Sequence, residues 1–147
     1  MTSHGRCLCG AVTVTVTAPM TEISACHCDN CRRWGGGVQF GIAVPANAVT
    51  FAGPVKEHLS SRIAKRAWCD TCGSALYLRD VEGPGAGEYE LCPGLFDNAG
   101  GARLVRAVYA DRAVGRIELA GALDRVTRQD YEAENPHLSM EGQDDRI

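Results

Sequence analysis

The chain has 147 residues, 45% of them hydrophobic, with 18 acidic against 15 basic side chains and a formal net charge of -3. That length fits one domain with a real core, the acidic balance offers no attraction for a nucleic-acid backbone, and no apolar run approaches the ~20 residues that span a bilayer. Met1–Arg6 lacks the apolar stretch of a secretory leader, so a cytoplasmic location is expected, where thiols stay reduced and clustered cysteines favour metal over disulfides.

In chain order, Cys7-Leu8-Cys9-Gly10 is the first group of thiols. Ala11–Thr17 alternates valine with threonine, the pattern of a half-buried strand, and Pro19 ends it. Ile23–Cys26 predicts a short strand running into Cys26-His27-Cys28-Asp29-Asn30-Cys31-Arg32. The run Gly35-Gly36-Gly37 predicts a loop. Strands are predicted over Val38–Val44 and Val49–Phe51. Glu57–Trp68 alternates loosely into Cys69-Asp70-Thr71-Cys72-Gly73, and Ser74–Leu78 leaves that group as a strand. After a flexible loop over Val81–Gly87, strands are predicted at Glu88–Leu91, Arg103–Ala110 and Val114–Leu119. Thr127 caps one late helix, with Asp130 at its third position near the positive end of the dipole, and the helix stops before Pro136. The polar tail from Ser139 to Ile147 is expected to be disordered. The sum is an all-β fold of about eight or nine short strands with one short C-terminal helix, a single domain over residues 1–138.

Seven of the eight cysteines fall in three tight groups. Thiolates at such spacing reach one ion together, and zinc is the usual occupant of all-sulfur tetrahedral sites. Cys7, Cys9, Cys69 and Cys72 make a complete set of four, whereas Cys26, Cys28 and Cys31 make three. Complete sites are structural, and a site with three protein ligands keeps a position for water or substrate. A rival pairing of Cys28 and Cys31 with Cys69 and Cys72 would be an ordinary zinc ribbon and would leave Cys7, Cys9 and Cys26 unused.

Cys7-Leu8-Cys9-Gly10, Cys26-His27-Cys28-Asp29-Asn30-Cys31-Arg32-Arg33 and Trp68-Cys69-Asp70-Thr71-Cys72-Gly73-Ser74 stand in an order and spacing that resembles the glutathione-dependent formaldehyde-activating enzyme family, which includes centromere protein V. Gly94-Leu95-Phe96-Asp97 looks like that family's Gly-x-Leu-Asp step, and Ala113-Val114-Gly115 stands near where members often carry Pro-Trp. The resemblance implies a zinc-dependent β-tent of short antiparallel strands and two zinc ions per chain. It implies that Cys7, Cys9, Cys69 and Cys72 hold a structural ion, and Cys26, Cys28 and Cys31 a catalytic one. The implied activity is that of a carbon–sulfur lyase handling a thiol adduct such as S-hydroxymethylglutathione.

Soft thiolates with an open position suit exchange of another soft ligand, so a small thiol is the expected partner, glutathione by resemblance. His27 lies between two ligands; in an extended segment its side chain points away from their metal, which leaves it an outer-shell or proton-shuttle role beside that of a packed histidine. Arg32 and Arg33 follow the third thiolate, where a guanidinium would stabilise a net negative site. Trp34 and the glycines after it could admit a substrate to the backbone. The group Arg62, Lys65 and Arg66 reads as a solvated strand face. Cys92 reads as a buried free thiol, and His4, His58 and His137 lack partners at ligand spacing. Asp97 serves equally as a site-orienting group or as turn chemistry. No general base stands out, and no oligomeric state follows. The alternative function is a non-enzymatic zinc-stabilised binding module, in which Cys92 or another protein group completes the second site.

Overall fold

The computed structural model describes residues 1–141, so the tail beyond, including residues 142–147 of the segment expected to be disordered, lies outside the described residues. In chain order the elements are β1 (Ser3–Arg6), β2 (Thr13–Val16), β3 (Glu22–Cys26), α1 (Asp29–Gly35), β4 (Gln39–Pro45), β5 (Val49–Ala52), β6 (Val55–Leu59) and β7 (Ala64–Cys69). They continue with β8 (Ala75–Asp80), β9 (Glu88–Leu91), β10 (Arg103–Val108), β11 (Asp124–Val126), α2 (Arg128–Glu134) and α3 (Pro136–Glu141), with short 3₁₀ turns between. Two sheets result, β1-β2-β5 and β11-β10-β3-β4-β9-β8-β7-β6.

The valine–threonine alternation decides how the sheets meet. Val12, Val14 and Val16 are fully buried, and they pack with Ile42, Val44, Leu76 and Leu91 from the large sheet. Each such side chain withdrawn from water contributes about 1.5–3 kcal/mol. Because strand side chains alternate in direction, Ala43 on β4 and Glu90 on β9 point to the opposite face; a register shift between β7 and β8 puts Leu76 and Tyr77 both in the core and Leu78 on that opposite face. That face is left for the chemistry. Most strands pair antiparallel, but β10 runs parallel to both β3 and β11. The parallel pairing with β3 brings Val108 beside Cys26.

Several segments differ from the sequence expectation. Glu57–Trp68 is the hairpin β6–β7, turned where the Ser61 hydroxyl accepts from the Ile63 and Ala64 amides at 3.4 and 3.1 Å. The cysteine array is helical from Asp29 onward. Cys28 is the N-cap, its Sγ accepting from the Cys31 amide at 3.4 Å, as a serine or aspartate oxygen would. Gly36, at φ 84°, ends the helix in the left-handed conformation and donates to the Arg32 carbonyl, so the glycine run is partly a helix cap. Val114–Leu119 forms no strand: Val114–Arg116 is a 3₁₀ turn with Gly115 at φ 62°. The late helix begins at Thr127 as expected, with the Asp130 amide donating to the Thr127 hydroxyl. A second short helix follows it, because Pro136 suits a first helical position as well as a stop. No helix among the described residues is long and apolar enough to cross a membrane.

Candidate metal centre

Two tight turns build the four-cysteine cluster. Cys7 follows β1 and Cys69 ends β7. In the first turn Gly10 donates to the Cys7 carbonyl, and in the second Gly73 donates to that of Cys69, each glycine at positive φ (80° and 78°). A side chain at either place would strain the turn. The Val12 amide donates to Cys7 Sγ at 3.2 Å, and the Ala11 amide to Cys9 Sγ at 3.5 Å. The Leu8 amide donates to Ser74 Oγ at 2.9 Å, tying one turn to the other. The four sulfurs lie within 4.8 Å of one another, with Cys7 to Cys9 at 3.6 Å and Cys9 to Cys69 at 3.9 Å. A tetrahedron of metal–sulfur bonds near 2.3 Å has edges of about 3.8 Å, so these sulfurs fit a zinc-sized ion. Hydrogen bonding from Ser74 pulls the Cys72 thiol down to about 5.

The second cluster forms where β3 passes into α1. Cys26 closes the strand, Cys28 caps the helix and Cys31 is buried in its first turn, their sulfurs again within 4.8 Å of one another. Hydrogen bonds from Cys26 and Cys28, joined by the positive charge of Arg66, hold the Cys31 thiol well below its ordinary range. Cys26, the donor, is pushed up in return. The donor set suits a soft metal ion. No fourth His, Cys, Asp or Glu joins it among the described residues.

Arg66 overturns the expectation of a solvated face. Its side chain on β7 is buried, with 4% exposure. Nη2 donates to Cys31 Sγ at 3.3 Å, Nε donates to Ser60 Oγ at 3.1 Å, and Nη1 is buried with no partner. The guanidinium lies 5.7 Å from the centre of the Trp34 ring. Arg62 and Lys65 do reach solvent, paired with Glu82 and Glu57. Ala64 and Arg66 share a face of β7, and both are buried.

A cavity of about 450 Å³ opens over the sheet face away from the small sheet. Strand pairing sets its floor: Arg106 lies beside Ser24, Ser24 beside Gly41, Cys26 beside Gln39, and Leu78 between Glu90 and Arg66. α1 and the two C-terminal helices supply walls, through Cys31, Tyr131 and His137 among others. Arg112 bonds Asp29 at 3.2 Å, holding the start of α1 to the segment after β10. Tyr109 and Tyr131 meet edge to face at 5.4 Å, and the Tyr109 hydroxyl donates to Glu132 at 3.3 Å. Burial, with the charges of Glu88 and Asp80, pushes the Glu90 carboxyl up to about 7. Gly41 makes room for it, since a Cβ there would run into the Glu90 carboxylate.

The other candidates fall elsewhere. His27 is 4% exposed and does not line the cavity; its backbone amide donates to the Val108 carbonyl, and burial lowers its ring pKa. Arg32 and Arg33 pair with Asp29 at 3.4 and 3.7 Å rather than with sulfur. Trp34 is 40% exposed and stacks on His58. Cys92 accepts from Gln39 at 3.6 Å, stands outside both clusters, and is pushed up to about 11 by burial. His137, given no role from the sequence, lines the cavity, and Asp97 sits exposed in a 3₁₀ turn. Arg66, Glu90, Arg106 and Tyr131 come from strands and helices distant in sequence. No local spacing in the sequence pointed to any of them.

Residues 2–112 match the family model described as glutathione-dependent formaldehyde-activating enzyme. An uncharacterized lyase of Schizosaccharomyces pombe is 30% identical over 81 residues, which cover 54% of this chain and 59% of that protein's length. A crystal structure of a Rhodobacter sphaeroides protein aligns with a TM-score of 0.53 and 21% identity, over 64% of this chain and 87% of that one, a likeness of fold.

Proposed function

Since this chain belongs to the glutathione-dependent formaldehyde-activating enzyme family, we propose that it is a zinc-dependent carbon–sulfur lyase, forming or cleaving an S-hydroxymethyl thiol at Cys26, Cys28 and Cys31. The observation that carries this reading is the three-sulfur cluster on the wall of a 450 Å³ cavity, with no fourth protein ligand among the described residues. A relative named as a lyase supports the reaction class. Zinc bound there would supply a Lewis-acid position at which a thiol is held as thiolate. The chain's own part is to set the electrostatics and shape. Arg66 brings a buried positive charge against Cys31 and so offsets an excess of thiolate charge. Tyr131, Leu78 and Val108 give the cavity apolar surface that limits water. Cys7, Cys9, Cys69 and Cys72, remote from that cavity, would hold the structural ion. The binding-module reading needs a fourth protein ligand at the second site, and Cys92 is not within that cluster.

Cobalt substitution tests the proposal, because each thiolate on cobalt alters its sulfur-to-metal charge-transfer bands. The protein should take up two ions per chain. Titration with glutathione or another small thiol should change the spectrum of the wild type, and Cys28→Ser should lose most of that change. A wild-type spectrum indifferent to every thiol tried would refute the reading.

A further inference from the structure

Glu90 is a carboxyl group turned into the cavity with nothing among the described residues to hold it there. It lines the cavity, accepts no hydrogen bond and forms no ion pair among the described residues. A half-buried carboxyl costs free energy unless something compensates it. The fold nevertheless makes room for it. Glu90 pairs with Ala43 across β4 and β9, yet its carboxylate lies against Gly41, where a Cβ would block it. The side chain therefore leans along β4 toward Gln39, which pairs with Cys26. Gly41 pairs with Ser24, two residues before Cys26 on the same face. Strand rise and spacing then put Gly41 and Cys26 roughly 8 Å apart, Cα to Cα. Glu90 and the three cysteines line one cavity, with the space for a small substrate between them.

We propose that Glu90 is the acid–base residue of this site, an inference that rests on the thiol-adduct reading above. In the forward direction the sulfur lone pair forms the carbon–sulfur bond, the carbonyl π pair moves onto oxygen, and that oxygen takes the Glu90 proton. The proton released when the thiol becomes a thiolate restores the carboxyl group, so thiol plus aldehyde gives the hydroxymethyl thioether with nothing left over. In reverse, the Glu90 carboxylate takes the hydroxyl proton, the carbonyl re-forms and the carbon–sulfur pair leaves on sulfur. A group that populates both forms near neutral pH suits both directions, and Glu90 is raised to about 7. The other charged and titratable groups lining the cavity are Asp80 of β8, Glu88 of its own strand, Arg66 of β7, Arg106 of β10, the three cysteines with Asp29 at the start of α1, Tyr109 and Arg112 after β10, Arg128, Tyr131 and Glu132 of α2, and His137 of α3. Asp80 and Glu88 raise it through their negative charge.

The test uses metal-loaded protein with glutathione and carbon-13 formaldehyde as probes, and follows exchange between free and thiol-bound aldehyde by NMR. Glu90→Gln should lose roughly 10²–10⁴-fold of the wild-type acceleration while its cobalt spectrum still responds to thiol. Glu90→Asp should keep part of the rate. Carboxyl carbon-13 titration of the wild type should find Glu90 titrating near neutrality, a readout independent of turnover and of whether the variants fold. Wild-type exchange rates in Glu90→Gln, or a Glu90 titration in the ordinary carboxylate range, would overturn this inference alone. A wild type whose cobalt spectrum ignores thiols would overturn the thiol-adduct reading, and the role of Glu90 with it.

Discussion

Replacing Glu90 by glutamine should make the protein's stability less dependent on pH, by an amount the structure sets. The folded carboxyl titrates at about 7 against an ordinary value of 4.5. At about 1.4 kcal/mol per unit, that is about 3 kcal/mol. Because the folded value is raised, the folded state binds the proton more tightly. That stabilisation is fully present below pH 4.5 and is lost as pH rises through about 7. Glutamine has the same shape and no charge to bury, so the variant escapes the loss. Urea denaturation of both proteins at about pH 4 and about pH 8 isolates the effect, since the pH dependence of the cysteine clusters is common to both. Going from the lower to the higher pH, the wild type should lose about 3 kcal/mol relative to the variant, or roughly 6–12 °C in melting temperature for a chain of this size. The cavity mouth admits solvent, which makes this an upper figure. Equal pH dependence in the two proteins would show that Glu90 is not held in a desolvated setting on the cavity floor.

Cys69→Ser should unfold or aggregate the protein while Cys31→Ser stays folded. Cys69 belongs to a cluster joining segments 60 residues apart, and structural metal sites contribute folding free energy directly; equal loss of melting temperature in both would contradict this division. Arg66→Met removes a charge-assisted bond to Cys31 Sγ worth about 1.5–3 kcal/mol. Chelator competition should therefore strip metal from the three-cysteine cluster 10–100-fold more readily, with Arg66→Lys intermediate and the four-cysteine cluster unchanged. Unaltered metal retention in Arg66→Met would exclude an electrostatic role for this side chain.

The cysteine groups were legible because their chemistry is local. A thiol pair two or three residues apart before a glycine can only make a tight turn, and counting thiols separated a set of four from a set of three. Strands with strict alternation, such as β2, were legible for the same reason. What escaped depended on parity or on a cap. Ser60-Ser61 reads as part of a strand until the Ser61 hydroxyl is seen to take two backbone amides and turn the chain. Without that turn the side to which Arg66 points is undetermined. Cys28 reads as a ligand and hides a helix N-cap, since thiols rarely serve that purpose. Glu90 sits in a short strand with another glutamate two residues before it. Only the sheet order, which sets β9 between β4 and β8, reveals that both line a cavity and that Glu90 is the one half-buried in its floor.

The order of strands also has a bearing on how the chain is made. A polypeptide emerging from its N-terminus presents Cys7 and Cys9 long before Cys69 and Cys72 exist, while Cys26, Cys28 and Cys31 arrive in between, close together and able to bind a soft ion as soon as they appear. The first pair must then wait for distant partners beside a more compact competitor for the same metal. β10, which pairs in parallel with β3 and walls the cavity, comes later still, because parallel neighbours require a long crossover. The three-cysteine cluster is thus complete early in synthesis, but the chamber around it closes only when the last third of the chain has been delivered.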